Sequence, residues 1–209
     1  MSTTGNKNSH EKFWDLLKIS WIRSSLIIGI IIIAIGIIIL FLLKHFNIGN
    51  SQWFLDAKVI VQEYGLVGIF LATILAGTIV PLGSPALVTA AAAFGVPKIP
   101  LILVATTGFT IGMMINYGLA YRLGRRYVMN KVSAERLEET TRLWNKWGWI
   151  LYVIFGLIFF LPVELLSLIC GLLKTRLDYF LILSFAPRLV VFIILAFLGE
   201  QLGPWIVSA

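Results

Sequence analysis

The sequence predicts an all-α integral membrane protein. Of its 209 residues, 59% are hydrophobic and only 13% are charged, whereas soluble domains have about 25% charged residues. The mean hydropathy is +0.93, and short charged segments divide the chain into long uncharged runs. A backbone inside a bilayer must satisfy its own hydrogen bonds, so these runs are expected to be helical.

Charge and composition also exclude several classes of partner and cofactor. A net charge of +7 on so apolar a chain indicates anionic lipid headgroups and membrane topology, and argues against nucleic acid. The single cysteine, Cys170, has no partner for an internal disulfide. His10 and His45 lie 35 positions apart and give no metal-ligand spacing. We therefore expect no metal site and no cofactor.

Three uncharged runs are predicted to cross the membrane once each. Ser24–Leu43 has 20 residues, the length of one span, and its basic flank resembles that of a signal peptide. Its apolar core is too long for a cleaved signal and no A-x-A-like site follows, so residues 1–50 should form a cytoplasmic segment and a retained signal anchor. The other two spans lie in Ile99–Tyr121 and Tyr179–Gly199.

Two further runs are interrupted by helix breakers. Tyr64–Pro97 has 34 residues, too many for one span of about 20 and too few for two spans with a turn. Trp147–Leu173 is interrupted in the same way. The breaks are formed by Pro81, Gly83 and Pro85 in the first run and by Pro162 in the second. Both runs therefore suit a re-entrant hairpin that enters and leaves on the same side.

The distribution of basic residues favours this arrangement. Arg122–Lys146 contains seven cations and should be cytoplasmic. If every run crossed once, a cytoplasmic N-terminus would put this segment outside. With two re-entrant hairpins, the N-terminus, Arg122–Lys146 and Lys174–Asp178 are all cytoplasmic. We favour three full spans with two opposed hairpins, and five ordinary spans are the alternative.

An internal repeat supports the hairpins. Residues 63–66 (EYGL) open the first and residues 146–149 (KWGW) open the second, each followed by a proline and later a glycine. The two halves, 51–126 and 133–203, each begin with an amphipathic segment expected to lie in the membrane interface. Since the halves would enter from opposite sides, the sequence predicts an inverted repeat of the transporter type, followed by a tail of residues 204–209.

The motifs in 51–203 resemble those of a known family. The run Gly108-Phe-Thr-Ile-Gly112-Met-Met-Ile-Asn116-Tyr117, continuing to Arg122-Leu-Gly124-Arg125, is similar to the G-x-x-x-G…N/D-x-x-Y…G-R signature of the DedA family. The family's domain is also called the VTT or SNARE-associated Golgi protein domain. Residues 81–84 and 162–172 resemble its two turns. The resemblance covers about Gln52 to Gly203.

This resemblance implies opposed re-entrant hairpins and a lipid-moving activity. Family members move lipids or polyprenyl-phosphate carriers between leaflets, in some cases coupled to an ion. The chain departs from the family pattern at Pro85, where a glutamate is usual, and at Leu157 and Glu164, where an arginine is common. The first hairpin therefore has no titratable group, and a two-carboxylate proton relay is not expected.

Glu164 and Arg188 are the ionisable residues inside the predicted hairpins and last span. A carboxylate there marks a functional site unless it reaches the interface, and it would carry a proton or pair with a cation such as Arg188. Arg188 could bind a phosphate headgroup or Glu164, with snorkelling to the headgroups as the alternative.

The remaining candidates are uncharged residues and interfacial arginines. Ser84 and Thr89 could donate hydroxyls to a phosphate or satisfy carbonyls freed by the prolines. Asn116 could bridge the hairpins or act as packing glue, while Gly108 and Gly112 indicate close helix packing. Arg122, Arg125 and Arg126 should mark the cytoplasmic interface and contact anionic lipid.

The leading functional prediction is a lipid translocase or scramblase. Its partners would be phosphate-bearing membrane lipids, and its location the cell (plasma) membrane, with a homo-oligomer left open. The alternatives are an ion-coupled small-solute transporter with Glu164 as coupling site and a non-transporting scaffold. No P-loop, G-x-S-x-G, H-E-x-x-H or Cys/His cluster is present in the sequence, so no enzyme is expected.

Overall fold

The computed structural model describes residues 20–46, 51–78, 83–158, 161 and 163–207. Within these ranges the chain is helical, with short turns and no strand. The eight helices of the described part are α1 (Ser20–His45), α2 (Gln52–Gly77), α3 (Ser84–Ala93), α4 (Lys98–Met129), α5 (Ala134–Trp147), α6 (Trp149–Leu157), α7 (Val163–Leu172) and α8 (Leu177–Val207). The predicted all-α class is confirmed.

Four of these helices are long and apolar enough to cross a membrane. The segments are Ile22–Leu42 in α1, Lys58–Gly77 in α2, Lys98–Met129 in α4 and Leu177–Trp205 in α8. Those in α1, α4 and α8 correspond to the three predicted spans. The segment in α2 is an additional candidate, because this helix runs for 26 residues before the first break, about 39 Å at 1.5 Å per residue. A helix of that length before the first break was not anticipated from the sequence.

Three short helices flank the two breaks. α3 and α7 have 10 residues each and α6 has nine, so each is about 15 Å long or less. The hydrocarbon core is about 30 Å thick. None of these three helices is therefore long enough to cross the core on its own.

Gly83 makes the first break by adopting a left-handed conformation. Its φ of +62° lies in a region that residues with a Cβ rarely adopt, and α3 begins at the next residue, Ser84. Pro85 is in the first turn of α3, where its missing N–H removes no helical hydrogen bond. Pro85 therefore starts a helix rather than interrupting one. Pro81 and Pro162, the other predicted breakers, lie outside the described residues.

Glycines bring α2 and α4 into close contact. A Cβ on Gly108 would collide with the Thr73 side chain and the Phe70 backbone, and one on Gly112 would collide with the backbones of Ile74 and Gly77. Only hydrogen atoms fit at these two positions. The predicted packing role of the G-x-x-x-G motif is thus confirmed.

α3 and α7, the short helices that follow the two breaks, each pack against the long helix of the other half. α3 lies against α8, and α7 lies against α4. Gly199 of α8 touches the backbone of Thr89, and Gly171 of α7 touches the backbone of Tyr117. In both halves a short helix and a long helix therefore approach closely enough to exclude a side chain between them.

The two predicted amphipathic segments have different structures. α5 is a separate helix with Leu137 and Leu143 buried, and the Ser133 hydroxyl accepts a hydrogen bond from the Arg136 N–H at its start. The first segment instead forms the start of α2 without a boundary. Ile60 and Tyr64, predicted to share an interfacial face, are both more than half exposed on α2.

The first helix lies at the edge of the bundle. Nearly every residue in its apolar segment is exposed, and its described contacts are with α8. Phe41 packs edge-on against Trp205 with ring centroids 5.7 Å apart, and the Lys44 ammonium lies 4.3 Å from the Trp205 ring centroid. Most of the apolar surface of α1 is therefore left for lipid.

Candidate functional site

Arg188 is a buried cation inside the last membrane helix. It is 3% exposed and follows Pro187 in α8. Its Cζ lies 4.0 Å from the centroid of the Phe109 ring and 5.7 Å from that of Phe192. The guanidinium is therefore held between aromatic rings of α4 and α8, where the cation–π attraction offsets part of its desolvation.

Close packing next to Arg188 fixes its position. A Cβ on Gly156, near the end of α6, would lie 2.7 Å from the Pro187 Cβ. Pro187 has no N–H, so the carbonyl of Leu183 loses its helical donor at this point. The end of α6 thus packs against a turn of α8 that lacks one helical hydrogen bond, at the residue before Arg188.

Glu164 is the acidic partner of Arg188. Its Oε1 lies 3.9 Å from Arg188 Nη2, and its side chain is 25% exposed. It lies in the first turn of α7, where the N-terminal helix dipole favours a negative charge. Since 3.9 Å exceeds a hydrogen-bond distance, the pair attracts electrostatically without using the guanidinium donors.

Two guanidinium nitrogens have no acceptor among the described residues. Arg188 Nε and Nη1 are both buried and make no hydrogen bond there. An unpaired charged donor in a low-dielectric interior costs several kcal/mol. The arrangement therefore leaves charged N–H donors available to an oxyanion such as a phosphate.

A neutral polar pair lies on the neighbouring helices. The Tyr152 and Ser184 hydroxyls are 2.8 Å apart in the protein interior, joining α6 to α8. Ser184 is one helical turn before Arg188. Sequence reasoning missed both residues, and Phe109 and Phe192 as well. A tyrosine within an apolar run was the available signal for Tyr152.

The first interrupted segment contributes the hydroxyls of Ser84 and the half-buried Thr89, and neither makes a hydrogen bond to Arg188 among the described residues. Ser84 is buried at the start of α3. Thr89 Oγ1 donates to the Pro85 carbonyl at 2.9 Å, so it satisfies the helix backbone. Asn116 Nδ2 donates to the Gly77 carbonyl at 3.2 Å, which ties α4 to the end of α2 beside the break. These residues shape the first break and lie apart from the ion pair.

Helix register nevertheless brings the first break close to Arg188. Gly199 contacts Thr89 and Gly203 contacts Ala93. The residue numbers differ by 110 in both contacts, so α3 and α8 run parallel. Extending this offset back puts Ser84 beside Ile194, about 9 Å along α8 from Arg188. Measured along the axis of α8, the first break therefore lies about two helical turns from Arg188.

The three interfacial arginines lie far from this ion pair in the sequence and on the surface. Arg122, Arg125 and Arg126 are all exposed near the end of α4. Gly124 has a non-helical backbone with φ of 65° and kinks the helix there. No cluster of three or more His, Cys, Asp or Glu side chains suited to a metal occurs among the residues that the structure describes.

Comparison with known proteins gives one family and one relative. The family model for the VTT domain matches residues 79–201, more than half of the chain. An uncharacterized protein of Methanocaldococcus jannaschii is 25% identical over 131 residues, which are 63% of this chain and 81% of that protein. No solved structure matches.

The matched region contains the features described above. Both helix breaks, the Glu164–Arg188 pair and the two glycines of the G-x-x-x-G motif lie between residues 79 and 201. These are the segments whose motifs resemble the DedA signature. The chain therefore belongs to the VTT domain family, the family of DedA and SNARE-associated Golgi proteins.

Proposed function

We propose that this protein moves phosphate-bearing lipids between the two leaflets of the plasma membrane, with its N-terminus in the cytoplasm. The substrates would be phospholipids or polyprenyl-phosphate-type lipids, and the activity that of a translocase or scramblase. The headgroup would pass through the interior beside the two helix breaks while the acyl chains stay in lipid. The proposal assigns no catalytic residue.

The observation that carries the proposal is the donor surface of Arg188. Its buried Nε and Nη1 have no acceptor in the described part of the chain, and Glu164 remains 3.9 Å away. A phosphate has the negative charge and the acceptor oxygens to take charge-assisted hydrogen bonds from a guanidinium. Since Glu164 is nearby, its carboxylate could neutralise Arg188 whenever no phosphate is bound.

Reciprocal packing supports an inverted repeat with two opposed re-entrant hairpins. In the first half, α2 packs against α4, and α3 packs against α8 of the other half. In the second half, α6 packs against α8, and α7 packs against α4 of the other half, so the two halves make equivalent contacts. Such contacts are expected when two equivalent units face each other. In this arrangement the breaks meet near mid-membrane, which is the level a headgroup must cross.

Cysteine labelling tests the membrane topology. We expect cysteines at Gln52 and Pro97, the two ends of the first interrupted segment, to react from the same side of sealed vesicles. A cysteine at Asn130, in the basic segment, should react from the opposite side. Cys170 is buried, and replacing it with alanine removes background labelling. Opposite accessibility of Gln52 and Pro97 would mean that the first segment crosses the membrane once.

A second candidate function rests on Glu164. Its side chain is one-quarter exposed although it lies within a broken apolar segment, so an ion could reach it. An ion-coupled transporter of a small solute would use this carboxylate as coupling site. That protein would accumulate solute in response to an ion gradient and would leave lipid headgroups in their original leaflets.

Headgroup accessibility in liposomes tests the leading proposal. Full-length protein is reconstituted with a trace of fluorescent phospholipid, and a membrane-impermeant quencher is added outside. Protein-free liposomes lose about half of their fluorescence because the inner leaflet is protected. We expect near-complete loss with the protein, with and without a pH gradient if transport is uncoupled. Loss equal to that of protein-free liposomes under both conditions would contradict lipid translocation.

A further inference from the structure

A second cationic site lies at the surface, between the end of α4 and the turn that joins α7 to α8. It is an open groove of about 700 Å³. Its lining is Met114, Ile115, Tyr117, Gly118, Leu119, Tyr121, Arg122, Lys174, Thr175 and Leu177. We call this the α4 groove, and it is separate from the buried Arg188–Glu164 pair.

The α4 groove changes from apolar to cationic along its length. Met114 and Ile115 lie toward the middle of α4, whereas Arg122 is about 12 Å further along, just before the kink at Gly124. Arg122 and Lys174 are exposed and have no carboxylate partner among the described residues. This order matches a lipid whose chain points toward the membrane centre and whose phosphate lies at the interface.

Tyrosine contacts make one wall of the groove rigid. The Tyr117 hydroxyl donates to the Thr175 carbonyl, which fastens the α7–α8 turn to α4. The Tyr117 ring stacks on Phe180 at 4.7 Å and on Tyr121 at 6.0 Å. The neighbouring Lys174 has a positive φ of 52°, and its ammonium lies 5.5 Å from the Tyr121 ring centroid. Lys174, Arg122 and both tyrosines line the groove.

Gly118 leaves room for a chain at the centre of the groove. A Cβ built at this residue meets nothing within 4 Å, unlike Gly108 and Gly112 on the same helix. Close helix packing therefore does not explain this glycine. An acyl chain could lie across it between Ile115 and Leu119.

We infer that the α4 groove binds one anionic glycerophospholipid, with its phosphate between Arg122 and Lys174 and an acyl chain across Gly118. This inference does not depend on translocation by the protein. A resident lipid of this kind would anchor the α7–α8 turn at the cytoplasmic interface. Positive charges near a membrane surface contribute about 1 kcal/mol each, and two correspond to a roughly thirtyfold change in affinity.

Native mass spectrometry of the full-length protein can test the site. The protein is titrated with phosphatidylglycerol and, separately, with phosphatidylcholine, and bound lipids are counted. We expect preferential binding of phosphatidylglycerol, reduced on the order of thirtyfold in the double variant Arg122→Gln/Lys174→Gln. The matched control Arg136→Gln/Arg142→Gln removes two exposed arginines of α5 that do not line the groove, and it should retain the wild-type affinity.

Two further arms separate a lipid site from diffuse charge attraction. Gly118→Phe keeps both cations but fills the groove, and we expect it to weaken phosphatidylglycerol binding. Leu119→Trp serves the same purpose if Gly118→Phe lowers the melting temperature. Glycerol 3-phosphate, which has no acyl chain, should compete poorly. The inference would be overturned if the groove variant and the control variant lost phosphatidylglycerol affinity equally. It would also be overturned if Gly118→Phe and Leu119→Trp both bound phosphatidylglycerol like the wild type, or if glycerol 3-phosphate competed fully.

Discussion

Arg188→Ala is expected to reduce lipid translocation to the level of protein-free liposomes. The guanidinium is the buried cation beside Glu164, and its Nε and Nη1 are the donors offered to a phosphate. Each charge-assisted hydrogen bond contributes about 1.5–3 kcal/mol, and about 1.4 kcal/mol is tenfold in rate. Arg188→Lys keeps the charge but loses the planar pair of donors, so we expect it to be at least about tenfold slower.

The matched control for this pair of variants is Arg176→Ala. Arg176 also pairs with a carboxylate, that of Asp178 at 2.9 Å, but its side chain is 84% exposed. Surface pairs of this kind contribute at most about 1 kcal/mol to stability, so the control should translocate lipid at the wild-type rate. The rates are measured by headgroup accessibility at equal protein-to-lipid ratios. Equal translocation rates for the wild type, Arg188→Lys and Arg188→Ala would contradict the proposal that Arg188 binds the phosphate.

Glu164→Gln is expected to slow translocation while strengthening headgroup binding. Glutamine keeps the shape of the side chain but removes the charge that balances Arg188. A bound phosphate then has no competing carboxylate, so its release becomes slower. Removing one partner of a buried pair also leaves an uncompensated charge, which costs about 3–5 kcal/mol. We therefore expect a lower melting temperature that added anionic lipid partly restores.

Glu200→Gln provides the corresponding control. Its carboxylate accepts from Lys98 Nζ at 2.6 Å, and its side chain is 47% exposed. The substitution removes the same charge from α8 without changing the buried pair, so translocation and lipid-dependent melting should match the wild type. Translocation is measured with and without a pH gradient. If Glu164→Gln translocated and bound lipid like the wild type under both conditions, Glu164 would have no role in transport.

Local features of the sequence were sufficient for several predictions. The helical membrane class follows from long uncharged runs, since a bilayer leaves few ways to satisfy the backbone. The close packing of Gly108 and Gly112 follows from their spacing of four, which puts both on one helix face. Ser133 accepts a hydrogen bond from the Arg136 N–H, the capping role that serine commonly takes at the start of a helix. Inferences of this kind use the sequence of one segment, without knowledge of which other helix that segment meets.

The length of α2, the helix before the first break, was less predictable. The uncharged run starts at Tyr64, but α2 begins at Gln52, so twelve residues that include charged side chains belong to the same helix. Charge marks the edge of an apolar run, but it does not end a helix. Helix ends depend on backbone capping and on tertiary contacts, which hydropathy does not report.

Tertiary structure alone decided which polar groups meet. Arg188 and Glu164 are 24 positions apart, and Tyr152 and Ser184 are 32 apart, so no helical period relates either pair. The sequence identified Glu164 and Arg188 because an ionisable residue in an apolar run is costly. It could not decide between pairing, snorkelling and interfacial exposure, because those outcomes differ only in what the other helices bring near. The sequence likewise allowed the Thr89 hydroxyl to donate a hydrogen bond either to a ligand or to the backbone. In the structure it donates to the Pro85 carbonyl.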